Sequence, residues 1–335
     1  MHTGKSYRLP EFIGWTRRTL YVLIVVSVVP VALYQLAGWQ WLAIPWGIVF
    51  LLGTTVALSA GFKNVQTYNR MQDAQQVWSS IASSSRIWGA TARDLVDDPD
   101  AARGLAYRHL AWLAALRFEM RQARVWENAG KANNVEYLRQ YSIPEREQTL
   151  ASELMKYLPP AETAMVLESR NRALQVLGLQ SRATKQLLSD GKLTMNGFSE
   201  LQKLIRDFQD LQGKSERIKN FPYPRQHAFI NTLFVRIMCV LLPFGMIGEF
   251  ERLDAAVEGW AQGSMVWLAI PLSLLISWMY CSLDLVGEST ENPFEGGAND
   301  VPITRISEEV EIDLREMLGE QGVPAMARAT GDIAM

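Results

Sequence analysis

Residues 51–70 read LLGTTVALSAGFKNVQTYNR, and this stretch decides how the chain is built. It closes a long uncharged run with Gly, Thr, Ser and Ala, then passes into Lys63, Asn64 and Arg70 with no proline to stop a helix. The run itself extends from Thr19 to Phe62 without a charged residue or histidine. A bilayer core about 30 Å thick needs about 20 helical residues to cross. The run is therefore two crossings, turned at Gly38-Trp39-Gln40. It is too long for a signal peptide and carries no small-residue cleavage site after a short apolar core.

A second pair of spans is expected downstream. Gly259–Leu283 is uncharged, and Gln226–Gly248 is apolar apart from His227 and Arg236. An arginine at bilayer depth costs roughly 2.5–3.5 kcal/mol on insertion scales, so Arg236 either faces a pore or interior partner, or snorkels to the interface. The flanks set the orientation. Lys5, Arg8, Arg17 and Arg18 precede the first span, the turn at 38–40 has no base, and the second turn carries Glu249, Glu251, Arg252, Asp254 and Glu258. Basic flanks stay cytoplasmic, which puts both termini and the central region inside and both short turns outside.

The organisation expected is an N-terminal cytoplasmic segment (1–18), a transmembrane hairpin (19–62), a cytoplasmic helical domain (63–224), a second hairpin (225–284), an acidic tail on that body (285–320) and a disordered end (321–335). The central region reads as all-α. The sequence YSIPEREQTLASELMKYL suits a helix with Pro144 at its first position and Ser142 as cap. The segment from Pro159 is expected to run as one helix to a stop at Asp190-Gly191. LAYRHLAWLAALRFEMRQARVW is a further helix, and 133–142 is a loop with a short turn. Phe198, Leu201, Leu204, Ile205, Phe208 and Leu211 share one helix face, the spacing of a core-packed helix. In the tail, 284–320 holds eleven acids against two bases, and Ile303, Ile306, Val310, Leu314 and Met317 form a helical stripe. An acidic strap on a basic body is an electrostatic match.

Chemistry is sparse. The chain has 335 residues and a net charge of −2, which marks no nucleic-acid binder. His2, His109 and His227 lie far apart, with no metal-ligand spacing, no phosphate-binding glycine loop and no nucleophile elbow. His109, among Leu110, Trp112 and Leu113, reads as a structural histidine. The two cysteines, Cys239 and Cys281, both fall in spans and read as buried, inert thiols. Neither an enzyme, a metal nor a cofactor is expected.

Several motifs in order resemble the bestrophin family. Gly61-Phe62-Lys63-Asn64 is followed at the family's spacing by Tyr68, Arg70, Ala74 and Trp78. Ser215-Glu216-Arg217-Ile218 precedes Pro222 and Pro224, and the next span ends in Leu241-Leu242-Pro243-Phe244. Then come Ser282-Leu283-Asp284, Glu291-Asn292-Pro293-Phe294, Asn299-Asp300-Val301-Pro302-Ile303 and Glu311-Ile312-Asp313-Leu314. The likeness covers residues 5–320.

The resemblance implies a homopentameric ion channel of a bacterial inner membrane, passing small monovalent ions, chloride-type anions or cations. It implies that the second span lines a hydrophobic neck, whose three rings carry over onto Thr54, Leu58 and Phe62. Their four-residue spacing places them on one helix face over about 12 Å. A constriction lined by Leu and Phe can lose its water and shut; the competing explanation of this small-residue face is helix packing. Thr54 stands where the family has a bulky aliphatic, which leaves the outer end wetter. The family's second constriction, at the cytoplasmic exit, aligns with Asn196, with Met195 and Phe198 close by. Animal members hold calcium with acids after the Asn-Pro-Phe. Here Glu295 and Asp300 are separated by four residues, a poor match to the six to eight oxygens calcium prefers, so no calcium gating is expected. The alternative to a channel is a non-conducting membrane scaffold or sensor whose helical body binds a protein partner.

Overall fold

The computed structural model describes residues 1–4, 7–138, 141–258, 262–323 and 333–335. Twelve α-helices follow one another among them, with no strand. They are α1 Leu9–Ala37, α2 Trp46–Leu95, α3 Pro99–Arg121, α4 Ala132–Leu138, α5 Pro144–Glu147, α6 Leu150–Leu154, α7 Pro160–Glu168, α8 Arg172–Ser189, α9 Met195–Asn220, α10 Arg225–Ala256, α11 Ala269–Ser289 and α12 Ile303–Met317. The chain divides into two units. One contains 1–4, 70–221 and 292–335, the other 5–69 and 222–291.

The second unit holds the apolar helices. Four helical stretches, Leu9–Ala37, Gln40–Leu95, Arg225–Ala256 and Met265–Ser289, are long and apolar enough to cross a bilayer. α1 starts ten residues before the uncharged run, so Arg17 and Arg18 lie on it. It ends at Gly38, whose φ of 68° is the left-handed conformation that only glycine adopts without a Cβ clash. Leu23, Val31, Val49, Val56, Val235, Leu242, Ile247 and Val266 build a common core. Only 22% of the most apolar window of the second stretch is buried within the chain. The remaining apolar surface has no partner among the described residues, as expected of helices that meet lipid or other subunits. With these spans the chain is a membrane protein.

In the first unit, α3 is the central helix. His109–Arg117 is buried without a break, which no amphipathic surface helix allows. Asp98 caps it by accepting from the backbone N–H of Asp100 and Ala101. Trp78, Trp88, Trp112, Phe208 and Phe294 fill the core around it. The expected α9 face is buried at Leu201, Ile205, Phe208 and Leu211, with Phe198 and Leu204 packed at its margin.

Helix ends differ in several places. Ser142 does not cap α5; Ile143 holds that position, and the Ser142 hydroxyl donates to Glu147 at 2.6 Å. The helix after Pro144 breaks at Gln148, where Thr149 caps α6. The helix from Pro160 breaks at Ser169, because Asn171 accepts from Leu174 N–H and starts α8 afresh. α3 stops at Arg121 instead of running on to Trp126, since Gln122 is extended.

The acidic tail packs on its own unit. Ile303, Val310 and Leu314 of α12 are fully buried. Arg86 pairs with Asp313 at 2.6 Å, Arg103 with Glu320 at 2.9 Å, and Tyr157 donates to Glu311 at 2.8 Å. Of the end expected to lack structure, 324–332 lies outside the described residues. Ile333, Ala334 and Met335 are buried, and Arg305 N–H donates to the Met335 carbonyl at 2.6 Å.

Candidate functional site

α2 has two faces that do different work. At about 100° per residue, Val49, Gly53, Val56, Ala60, Lys63 and Thr67 fall within about 80° of arc, and all six are buried. Thr54, Leu58 and Phe62 centre about 180° away. Leu58 is 63% exposed, Phe62 61%, and Thr54 is exposed as well. Leu51 and Val65 extend the same exposed apolar strip.

The buried face is clamped along its length. A Cβ at Gly53 would sit 2.9 Å from Met238 Cε, and one at Gly245 would sit 2.7 Å from Val49 Cγ2. These two glycines let α2 and α10 approach at backbone distance, as small residues do between membrane helices. The Tyr280 hydroxyl of α11 donates to the Gly53 carbonyl at 3.1 Å. Farther along, the Lys63 ammonium meets Asp284 Oδ1 at 2.6 Å, and the two side chains are 4% and 12% exposed. Asp284 also accepts from Asn231 Nδ2 at 2.8 Å and from Thr232 Oγ1 at 2.9 Å. A carboxylate with three donors is compensated, which an isolated charge at this depth is not. Thr67 accepts from Thr290 at 3.2 Å. Thus α10 and α11 hold one side of α2 and present the other.

Thr54 differs in detail from a free hydroxyl. Its Oγ1 donates to the Leu51 carbonyl at 2.9 Å, satisfying the donor within the helix. Arg236 is exposed on α10. At the start of α9, Thr194 caps by accepting from Gly197 N–H at 3.1 Å. Met195, 66% exposed, and Asn196 project from that first turn. Phe198 parts from them and packs against the unit's core.

The tail contains a second polar centre. Arg121 is buried and faces Glu145 at 3.7 Å and Asp300 at 3.6 Å, while donating to the Phe294 carbonyl at 3.1 Å. Asp300 accepts from Gly296 N–H at 2.6 Å, and Glu295 accepts from Asn128 N–H at 2.8 Å. Burial, and then the charge of Asp300, push the Glu295 carboxyl up to about 8; burial pushes Asp300 up to about 6 against the pull of Arg121. His109 is wholly buried, its Nε2 2.8 Å from Ser85 Oγ, and desolvation lowers it to about 3, so it stays neutral as a core residue. No cluster of His, Cys, Asp and Glu with metal-holding geometry occurs among the described residues.

Sequence reasoning singled out the exposed stripe and missed what holds it. Lys63 directly follows one charge-free run and Asp284 directly follows another, with opposite signs at the ends of two spans. That was the signal for their pairing.

Four helices long and apolar enough to cross a membrane, a helical unit with an acidic strap, and an apolar face of α2 left exposed by the described residues define a class of all-α integral membrane protein. The chain belongs to the Bacterial/Fungal Bestrophin protein family, whose model matches residues 15–316. The voltage-dependent anion channel-forming protein YneE of Escherichia coli is 24% identical over 306 residues, covering 91% of this chain and 86% of its own. A voltage-dependent anion channel-forming protein of Mesorhizobium japonicum is 26% identical over 318 residues, covering 90% and 89%. The crystal structure of a bacterial bestrophin homolog from Klebsiella pneumoniae superposes with a TM-score of 0.75 at 21% identity, covering 91% of this chain and 99% of that one.

Proposed function

We propose that the chain is one subunit of a homopentameric channel for small monovalent ions in a bacterial inner membrane. Five copies of α2 surround the axis and present Thr54, Leu58 and Phe62 to the ion path. The two relatives named above carry anion-channel names, which favours anions of the chloride type as the ions conducted. Both termini and the unit containing 70–221 face the cytoplasm, a reading supported by the basic N-terminal flank and the base-free first turn. The observation that carries this reading is the α2 face. It is apolar, exposed in the protomer and opposite a face fixed by glycine contacts and the Lys63–Asp284 pair.

A neutral oily ring suits a passage that opens by wetting and shuts by drying. It offers no ion a binding site strong enough to trap it, so selectivity falls to charges elsewhere along the path. Met195 and Asn196 at the start of α9 form the cytoplasmic constriction, with the Asn196 amide a weaker barrier than an aliphatic ring. Arg236, on the exposed side of α10, is an interior or interface charge and not a member of the neck. The protein acts by conduction, not catalysis.

Purified protein in liposomes under a chloride gradient tests this. Conductance with a reversal potential near that of chloride is expected from particles containing five chains. A reconstituted protein that carries no current under any gradient overturns the channel and leaves a membrane scaffold.

A further inference from the structure

The chain has 2 cysteines in 335 residues. They lie on different helices, Cys239 on α10 and Cys281 on α11, yet their sulfurs are 3.6 Å apart. That is van der Waals contact. We propose that Cys239 and Cys281 are a redox-active dithiol, which closes to an intramolecular disulfide between the two spans when a lipid-dissolved quinone accepts its electrons.

The approach needed is short. A disulfide bond is about 2.05 Å long, so the sulfurs must close by about 1.5 Å. The hydrogen bonds already point the right way. The Cys239 thiol has the Ser277 carbonyl as acceptor at 3.7 Å, which leaves its sulfur lone pairs to receive the Cys281 S–H. Cys239 is buried and Cys281 is half-buried in the protomer.

The surroundings select the oxidant. Cys239 belongs to the apolar core of the membrane-crossing unit and Cys281 packs against it, one helical turn from the charge that ends its span. Exchange with glutathione or a thioredoxin-type protein proceeds through thiolate attack in water, and apolar neighbours disfavour a thiolate. A membrane-soluble two-electron acceptor suits such a site better. The balance is two Cys–SH plus one quinone giving one Cys–S–S–Cys plus one quinol. Both S–H bonds break, one S–S bond forms, and two electrons and two protons pass to the quinone oxygens.

The position gives the bond leverage. Cys281 is one helical turn from Asp284, the carboxylate that holds Lys63 of α2 and the amide of Asn231 of α10. A covalent link there fixes the register of α10 against α11 beside the group that clamps the exposed stripe's helix. Simple packing would be served equally by any two small apolar side chains; two thiols in contact on neighbouring helices add a redox chemistry that packing does not use.

The full-length protein, reduced, desalted and placed in phosphatidylcholine vesicles, is exposed to a short-chain ubiquinone, denatured in an alkylating agent and weighed. Loss of both alkylation sites is expected, with a mass lower by two hydrogens, monomer migration without reductant and full recovery after dithiothreitol. Cys281→Ser should keep its remaining thiol alkylatable. If the wild-type chain keeps both sites alkylatable while the added quinone oxidises a vesicle-bound dithiol, or if Cys281→Ser loses its thiol as fast, the dithiol assignment is wrong. Neither readout involves ion flux, so the result stands apart from conduction.

Discussion

Asp284→Ala should be the most damaging single change in the apolar unit. Its side chain is 12% exposed and that of Lys63 4%, so water screens their 2.6 Å contact very little. Truncation leaves an ammonium buried at the end of a span with no counter-charge, only the backbone carbonyl of residue 284 at 3.5 Å. It also strips the acceptor from Asn231 and Thr232. Breaking a buried pair from one side costs about 3–5 kcal/mol. For a cooperative unit of about 150 residues, the scale of the apolar unit, each kcal/mol moves Tm by about 2–4 °C, so a fall of roughly 6–20 °C is expected. Lys63→Met should cost less, because Asp284 keeps both neutral donors. Combining Lys63→Met with Asp284→Leu should recover most of the loss, since no uncompensated charge remains. The assay is tryptophan fluorescence during heating in detergent at one scan rate, with 11 Trp as the signal. If Asp284→Ala stays within about 1 kcal/mol of wild type, or the double variant is worse than either single one, the pair does not clamp α2.

Leu58→Ala with Phe62→Ala should raise liposome ion flux while leaving Tm nearly unchanged, because both side chains are mostly exposed in the protomer; unchanged flux would count against the neck. Gly245→Ala should destabilise by about 1–3 kcal/mol, since its new Cβ would press on Val49 Cγ2; a neutral result in thermal unfolding would mean that α2 and α10 are not in close contact. Glu295 is raised to about 8 from an ordinary value of 4.5, so the folded chain holds this proton more tightly than the unfolded one. Stability should fall as pH rises from about 4.5 to about 8. Glu295→Gln should flatten that slope, and parallel pH–Tm curves would sink the assignment.

Much of this architecture was legible because charge is expensive in hydrocarbon. The uncharged runs fixed the spans, and the periodic apolar residues of α9 and α12 fixed their buried faces. Helix ends were less legible. Asn171 looked like a residue inside a helix, but its side chain satisfies the Leu174 N–H, and a local cap outcompetes continuation. Ser142 looked like a cap but bonds to Glu147 instead. Thr54, Leu58 and Phe62 were singled out by the resemblance to the family, and their spacing then put them on one helix face. The register of α2 on α10 and α11 was not, because it depends on which glycines meet which side chains across helices. The meeting of Cys239 and Cys281 hangs on that kind of register, so two thiols read as inert turned out to be in contact.

The stripe's surroundings are the central claim, and cysteine accessibility tests them most directly. In a background of Cys239→Ser and Cys281→Ser, single cysteines are placed at 54, 58 and 62, and at the buried positions 56 and 60. A charged, water-soluble thiol reagent is added to liposomes carrying an ion current. Current should change sharply for Thr54→Cys, Leu58→Cys and Phe62→Cys and hold steady for Val56→Cys and Ala60→Cys. Labelling that spares 54, 58 and 62, with current untouched, would show that this face of α2 meets lipid and not the ion path.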